Sequence, residues 1–172
     1  MGTILAGFMV IAVFLVASAL MFNAFLFGSG AQSQSMKEMS RTNAQREESG
    51  LNITGAAVYT AGGSDVWVHL DHTGSESVPD FSAMDVIIQY TDTSDNLTLN
   101  HLSYNDGGLA DNKWTVSATG VQPDSFNPRM WDSDEELSID LRVSPAIKAG
   151  TAALVVVATP WGVNDQSNIT NP

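Results

Sequence analysis

The sequence predicts an α+β chain, with a long hydrophobic N-terminal α-helix over residues 1–49 followed by an immunoglobulin-like antiparallel β-sandwich head over 51–172. Three observations predict it. Residues 1–36 contain no Asp, Glu, Lys or Arg. From Leu51 onward apolar residues recur at every second position, the period of a half-buried strand. About seven such segments are separated by turn-forming stretches, which is the pattern of a sandwich.

The apolar run from Thr3 to Phe27 exceeds the roughly 20 residues that a membrane-spanning helix needs. It starts at once and is too long for a signal-peptide core. The segment is therefore expected to be retained in the working protein, and its bare start points to removal of a charged leader. A helix apolar on all sides must be surrounded by lipid or by other protein. Small residues at Gly2, Ala6, Gly7, Ala12, Ala17 and Ser18 would let neighbouring helices approach closely, with Phe8, Phe14, Phe22 and Phe25 packing among them. The expected partner is a copy of the same helix.

At Gly28 and Gly30 helix propensity falls by up to about 1 kcal/mol each, which predicts a bend or loosened turn, a hinge. Residues 36–49 are again rich in helix formers, and Gly50 stands where a C-terminal cap is expected. An unbroken helix from Thr3 to Ser49 would be about 70 Å long, more than one bilayer accommodates.

In the head, 51–60 and 66–72 read as a β-hairpin around Ala61-Gly-Gly-Ser-Asp65, with Val66, Val68 and Leu70 facing inward. Three further strands are expected at 84–91, 96–103 and 112–118, punctuated by turns at 93–95 and 105–108. Residues 119–134, with Gly120, Pro123 and Pro128, read as a long loop. Glu135–Val143 alternates cleanly, and the apolar run Thr151–Ala158 suits a central strand.

Composition narrows the function. The net charge is −12, and because Lys37, Arg41 and Arg46 cancel Glu38, Glu47 and Glu48, residues 51–172 carry 4 basic against 16 acidic side chains. Such a surface is a poor partner for nucleic acid, whose phosphates are bound by Lys and Arg. With no cysteine, neither disulfides nor thiolate metal sites are available. No nucleophile elbow, phosphate-binding loop or zinc-protease helix motif is present, so no enzyme activity and no cofactor are expected.

The remaining candidates are modest. Three Asn-x-Thr sequons, at Asn52, Asn96 and Asn168, mark possible glycosylation sites. Asp132-Ser-Asp-Glu-Glu136 could offer oxygen ligands to Ca²⁺, but its spacing is not that of an EF-hand, and a solvated acidic loop is the expected reading. His69 and His72 would point to opposite sides of a strand and are expected at the surface. Trp67, Trp114, Trp131 and Trp161 are expected to serve packing.

The opening Gly2-Thr3-Ile4-Leu5 with its unbroken apolar helix resembles the mature N-terminus of the archaellins, the filament subunits of the archaeal flagellum within the wider type IV pilin-like superfamily. The head segments Val58-Tyr-Thr-Ala-Gly-Gly-Ser-Asp65, Pro79–Tyr90 and Val157-Ala-Thr-Pro-Trp-Gly162 resemble theirs as well. The resemblance implies a leader removed by a prepilin-type peptidase and insertion in the cytoplasmic membrane before assembly. It further implies helices bundled in an extracellular cell-surface filament, heads in its outer sheath, and a membrane platform and motor ATPase as partners. Leu5 stands where many bacterial pilins carry an acid, which favours archaellin over bacterial pilin. The alternatives are an adhesive pilus subunit and a membrane-anchored extracellular accessory or binding domain.

Overall fold

The computed structural model describes residues 2–171, with the side chains of residues 3–6 outside the description. Helix α1 spans Gly2–Glu48, and eight strands follow: β1 Leu51–Val58, β2 Asp65–His72, β3 Asp85–Thr91, β4 Leu97–Tyr104, β5 Lys113–Gln122, β6 Glu136–Arg142, β7 Ala153–Ala158 and β8 Asn164–Ile169. The chain divides into two compact units, Met1–Asn43 and Ala44–Pro172. The last helical turn thus belongs with the head.

Helix α1 is α-helical throughout, across Gly28 and Gly30. The loosened turn expected there is absent. Two isolated glycines cost about 2 kcal/mol together, which the helix formers on either side absorb. Gly50 is not a left-handed cap either, since its φ is not positive. The orphan carbonyl of Glu48 instead accepts the amides of Ser75 (2.6 Å) and Glu76 (3.1 Å), so the end is capped from a neighbouring loop.

The head is an immunoglobulin-like sandwich of two antiparallel layers, β1-β2-β6-β5 and β4-β3-β7-β8. Short parallel contacts stitch both open edges. Ser103 and Tyr104 of β4 pair with Lys113 and Trp114 of β5, while Ala57 bridges Thr170 beyond β8. Ile53 N–H also donates to Asp165 Oδ2 (2.8 Å) across that second seam. The result approaches a closed barrel, which leaves few unpaired backbone groups to template aggregation.

Period-two burial builds the core. Val66, Val68 and Leu70 of β2 face inward as expected, and meet Leu137, Ile139 and Leu141 of β6. From the other layer come Val86, Ile88 and Tyr90 of β3 with Val155 and Val157 of β7. Each such side chain contributes about 1.5–3 kcal/mol by leaving water. Trp114 and Trp131 are fully buried among them.

Further expectations about the head need correcting. Strand β8 was not anticipated, because Asn164-Asp-Gln-Ser-Asn-Ile169 is polar; its pairing with β7 holds it in place. Residues 119–122 continue β5 past a bulge, with Gly120 at φ 65°, instead of opening the loop. His72 is buried, not superficial: its Nε2 lies 2.9 Å from Glu76 O, its Nδ1 accepts from Gly74 N–H, and its ring meets the edge of Trp131.

Candidate assembly surfaces

Along α1 the described apolar side chains from Phe8 to Phe27 are exposed on every side. Among the expected packing residues, Gly2, Gly7, Phe8, Ala12, Phe14, Ala17, Ser18, Phe22 and Phe25 are all exposed; the side chain of Ala6 lies outside the described residues. At 100° per residue, Ala17, Ala24, Gly28 and Ala31 share one face of the helix, and Phe14, Phe22 and Phe25 another. Small and large side chains otherwise alternate around the helix, with Gly7 and Ser18 on the face of the rings, so close approach is open to neighbours from more than one side. The helix is long and apolar enough to cross a membrane.

The other end of α1 is clasped. Arg46 Nε donates to Trp161 O (3.0 Å), and the buried Ser49 hydroxyl donates to Thr159 Oγ1 (3.0 Å). Thr73 N–H donates to Gly50 O (3.0 Å), which brings the 73–76 loop against the chain leaving the helix. A Cβ on Gly74 would stand inside 3.0 Å of Glu48 O and Gly50 N, and one on Gly50 inside 3.0 Å of Thr73 Oγ1. Backbone meets backbone here.

On the head, Asn52, Asn96 and Asn168 are all exposed. Asn52 lies on β1 opposite Asp71, and Asn168 on β8 opposite Leu154. Asn96 ends the turn before β4, with its Nδ2 donating to Asp92 Oδ2 (3.2 Å). The three lie on different strands and turns and do not form one site.

The acidic segment 132–136 departs from expectation. Asp132 and Glu135 are buried, and Glu135 accepts Asp132 N–H (2.9 Å) and Ser125 N–H (3.3 Å), so these carboxylates brace the loop instead of facing water. Asp132 Oδ2 has no partner among the described residues. His69 stands between Glu136 (3.1 Å) and Ser138 (3.0 Å). Among the described residues no three His, Asp or Glu side chains are grouped to hold a metal ion.

At the β1–β2 turn, Arg142 grips Asp65 through two nitrogens (2.6 and 2.8 Å), and the hydrogen bonds from the guanidinium hold the Asp65 carboxyl below its ordinary range. Nearby, Tyr59 donates to Asp140 (2.7 Å). Loss of water around its hydroxyl, then the bond and charge of Asp140, push its pKa up from 10.0 to about 12. A group raised on folding stabilises the head below its unfolded value and loses that contribution as pH climbs through the folded one. Tyr59→Phe should therefore lower the melting temperature by a few degrees below pH 10, worth about 1 kcal/mol or less at this exposed position. The difference from the unaltered chain should close as pH approaches 12, as thermal scans at pH 8, 10 and 12 would reveal.

The sequence matches no family model and no curated protein. Solved structures are similar in fold. The archaeal flagellum of Methanospirillum hungatei strain JF1 superimposes with a TM-score of 0.61 at 13% identity, covering 98% of this chain and 94% of that one. Archaeal flagellin FlaB1 from Methanocaldococcus jannaschii gives 0.54 at 14% identity, covering 72% and 90%. The archaellum periplasmic stator protein complex FlaF and FlaG from Sulfolobus acidocaldarius gives 0.51 at 16% identity, covering 69% and 86%. With its apolar helix followed by an eight-stranded sandwich, this chain has an archaellin-like fold.

Proposed function

We propose that this chain is a structural subunit of an archaellum-type filament, polymerising through α1 and displaying the head outward. The observation that carries the reading is the joining to the sandwich of a helix that carries no charge before Lys37 and whose described apolar side chains are exposed, together with a likeness to the archaeal flagellum that runs over 98% of the chain. An apolar rod of this kind needs lipid before assembly and other helices after it. Copies of the chain are the natural neighbours. The work is mechanical, and the peptidase, membrane platform and motor ATPase implied by the archaellin resemblance would process, receive and turn the polymer.

A second reading is a membrane-anchored accessory of the same machine, favoured by the likeness to the stator complex FlaF and FlaG, which covers only 69% of this chain. Labelling the chain on living cells and tethering them by the label separates the readings. Rotation of the tethered bodies is the expected result. Labelled filaments that hold cells without turning them would make the chain a pilus subunit, and label confined to the envelope would make it the accessory.

A further inference from the structure

We propose that the Phe126 loop of one copy docks on the outer face of the β4-β3-β7-β8 layer, around Leu97 and Leu99, of the next copy. The contact rests on the filament reading above and supplies a head-to-head link that the helix alone does not.

The two outer faces of the head differ in charge. That of β1-β2-β6-β5 carries Asp65, Asp71, Lys113, Glu136, Asp140 and Arg142. On the other layer the outward positions are Leu97, Leu99 and His101 on β4, Asp85, Ile87, Gln89 and Thr91 on β3, Leu154, Val156 and Ala158 on β7, and Asn164, Gln166 and Asn168 on β8. Asp85 is the carboxylate there, and it is held by His101 Nε2 (3.0 Å). Leu97 and Leu99 are 71% and 69% exposed, side by side on one strand face. In a chain of net charge −12, this nearly uncharged aliphatic surface is where a second copy can approach without burying like charges.

The knob is Phe126, 74% exposed on the β5–β6 loop. That loop is braced from inside: Glu135 accepts Ser125 N–H, Asp124 accepts Arg129 N–H (3.4 Å), and Met130 N–H donates to Asn127 O (2.9 Å). A ring held out in this way loses little freedom on docking. Next to it is Arg129. Of the four head cations, Arg142 pairs with Asp65, Lys148 with Asp95, and Lys113 reaches Ser103 Oγ; the Arg129 side chain has no such partner among the described residues. Asp95, two residues before Leu97, keeps a side chain 71% exposed although it pairs with Lys148, so a neighbour's face offers a carboxylate beside the apolar seat.

Knob and seat are at opposite ends of the head. Strand β8 runs parallel to β1 and antiparallel to β7, and β7 is antiparallel to β3, so β3 runs with β1. The loop enters β6 at Glu136, opposite Asp71 and hence near the start of β1. Leu97 pairs with Thr91, at the end of β3. Two unlike surfaces at opposite ends and on opposite layers form a heterologous contact, which repeats along an assembly without closing.

The absence of native cysteine makes the test direct. Filaments carrying both Phe126→Cys and Leu99→Cys, oxidised with copper phenanthroline, should give a ladder of covalent oligomers on a non-reducing gel. Each single variant should stay monomeric, and the two single variants expressed together should give covalent dimers but no ladder. Filaments of these variants that yield no covalent species would overturn the contact and leave the filament reading standing. An unaltered chain that forms no filaments would remove the filament reading and the contact with it. If only the double variant fails to assemble, the co-expressed single variants decide: covalent dimers support the contact, and monomers alone overturn it.

Discussion

Ala17→Asp is expected to reduce filaments on the cell surface to none while leaving the head folded. Ala17 lies midway along a stretch with no charge before Lys37, on the helix face it shares with Ala24, Gly28 and Ala31. An aspartate at the centre of an apolar helix costs about 2.5–3.5 kcal/mol on insertion scales before any packing loss. In a bundle the cost recurs at every subunit, and the larger side chain also holds neighbouring backbones apart. The head core lies in the separate unit Ala44–Pro172, so its melting temperature should stay within a degree or two. Electron microscopy of cells bearing the variant as their sole copy checks the outcome, with Ala17→Ser, which preserves size, as the control expected to assemble. Normal filaments with aspartate in place would show that this face is not packed in a core.

How much of this was legible beforehand depended on whether a feature was written locally. The charge-free run from residue 1 to 36 specifies an all-round apolar helix by itself, and no tertiary contact is needed to read it. Strands β2, β3 and β6 alternate because one face of each is core, so Val66, Ile88 and Ile139 announced their own burial. Strand β8 had no such signal: apart from Ile169 its residues are polar, and what makes it a strand is the exposed edge of β7 beside it. The burial of His72, Asp132 and Glu135 was hidden for a related reason. Polar side chains default to water unless the folded turns aim partners at them, and here the partners are backbone groups of Gly74 and Glu76 for His72, of Ser125 and Asp132 for Glu135, and the Asn127 amide for Asp132. Phe126 and Arg129 sat in a segment read only as loop. Their significance comes from exposure and from the lack of a side-chain partner for Arg129 among the described residues, neither of which a sequence displays.

Gly74→Val should destabilise the head by about 3 kcal/mol, near the upper end of overpacking effects, and lower its melting temperature by about 10 °C. The reason is the company it keeps. An added Cβ would fall inside 3.0 Å of Glu48 O, Glu48 C and Gly50 N, all backbone atoms. None can step aside cheaply: Glu48 O is held by the amides of Ser75 and Glu76, Gly50 O by Thr73 N–H, and Gly74 itself by the His72 ring. Relief would require surrendering the cap on Glu48, and two orphaned polar groups in a half-buried joint carry a penalty of similar size. Gly74→Ala should act in the same direction with a smaller loss, whereas Gly107→Ala, whose nearest neighbours are side-chain atoms of Asn105 at 3.7 and 3.8 Å, should change stability by no more than about 0.5 kcal/mol. Tryptophan fluorescence reports the unfolding, because Trp131 lies edge-on to His72 beside the affected loop. A loss below about 1 kcal/mol for valine would mean that the 73–76 loop shifts as a body and that the clasp on residues 44–50 is looser than its hydrogen bonds indicate.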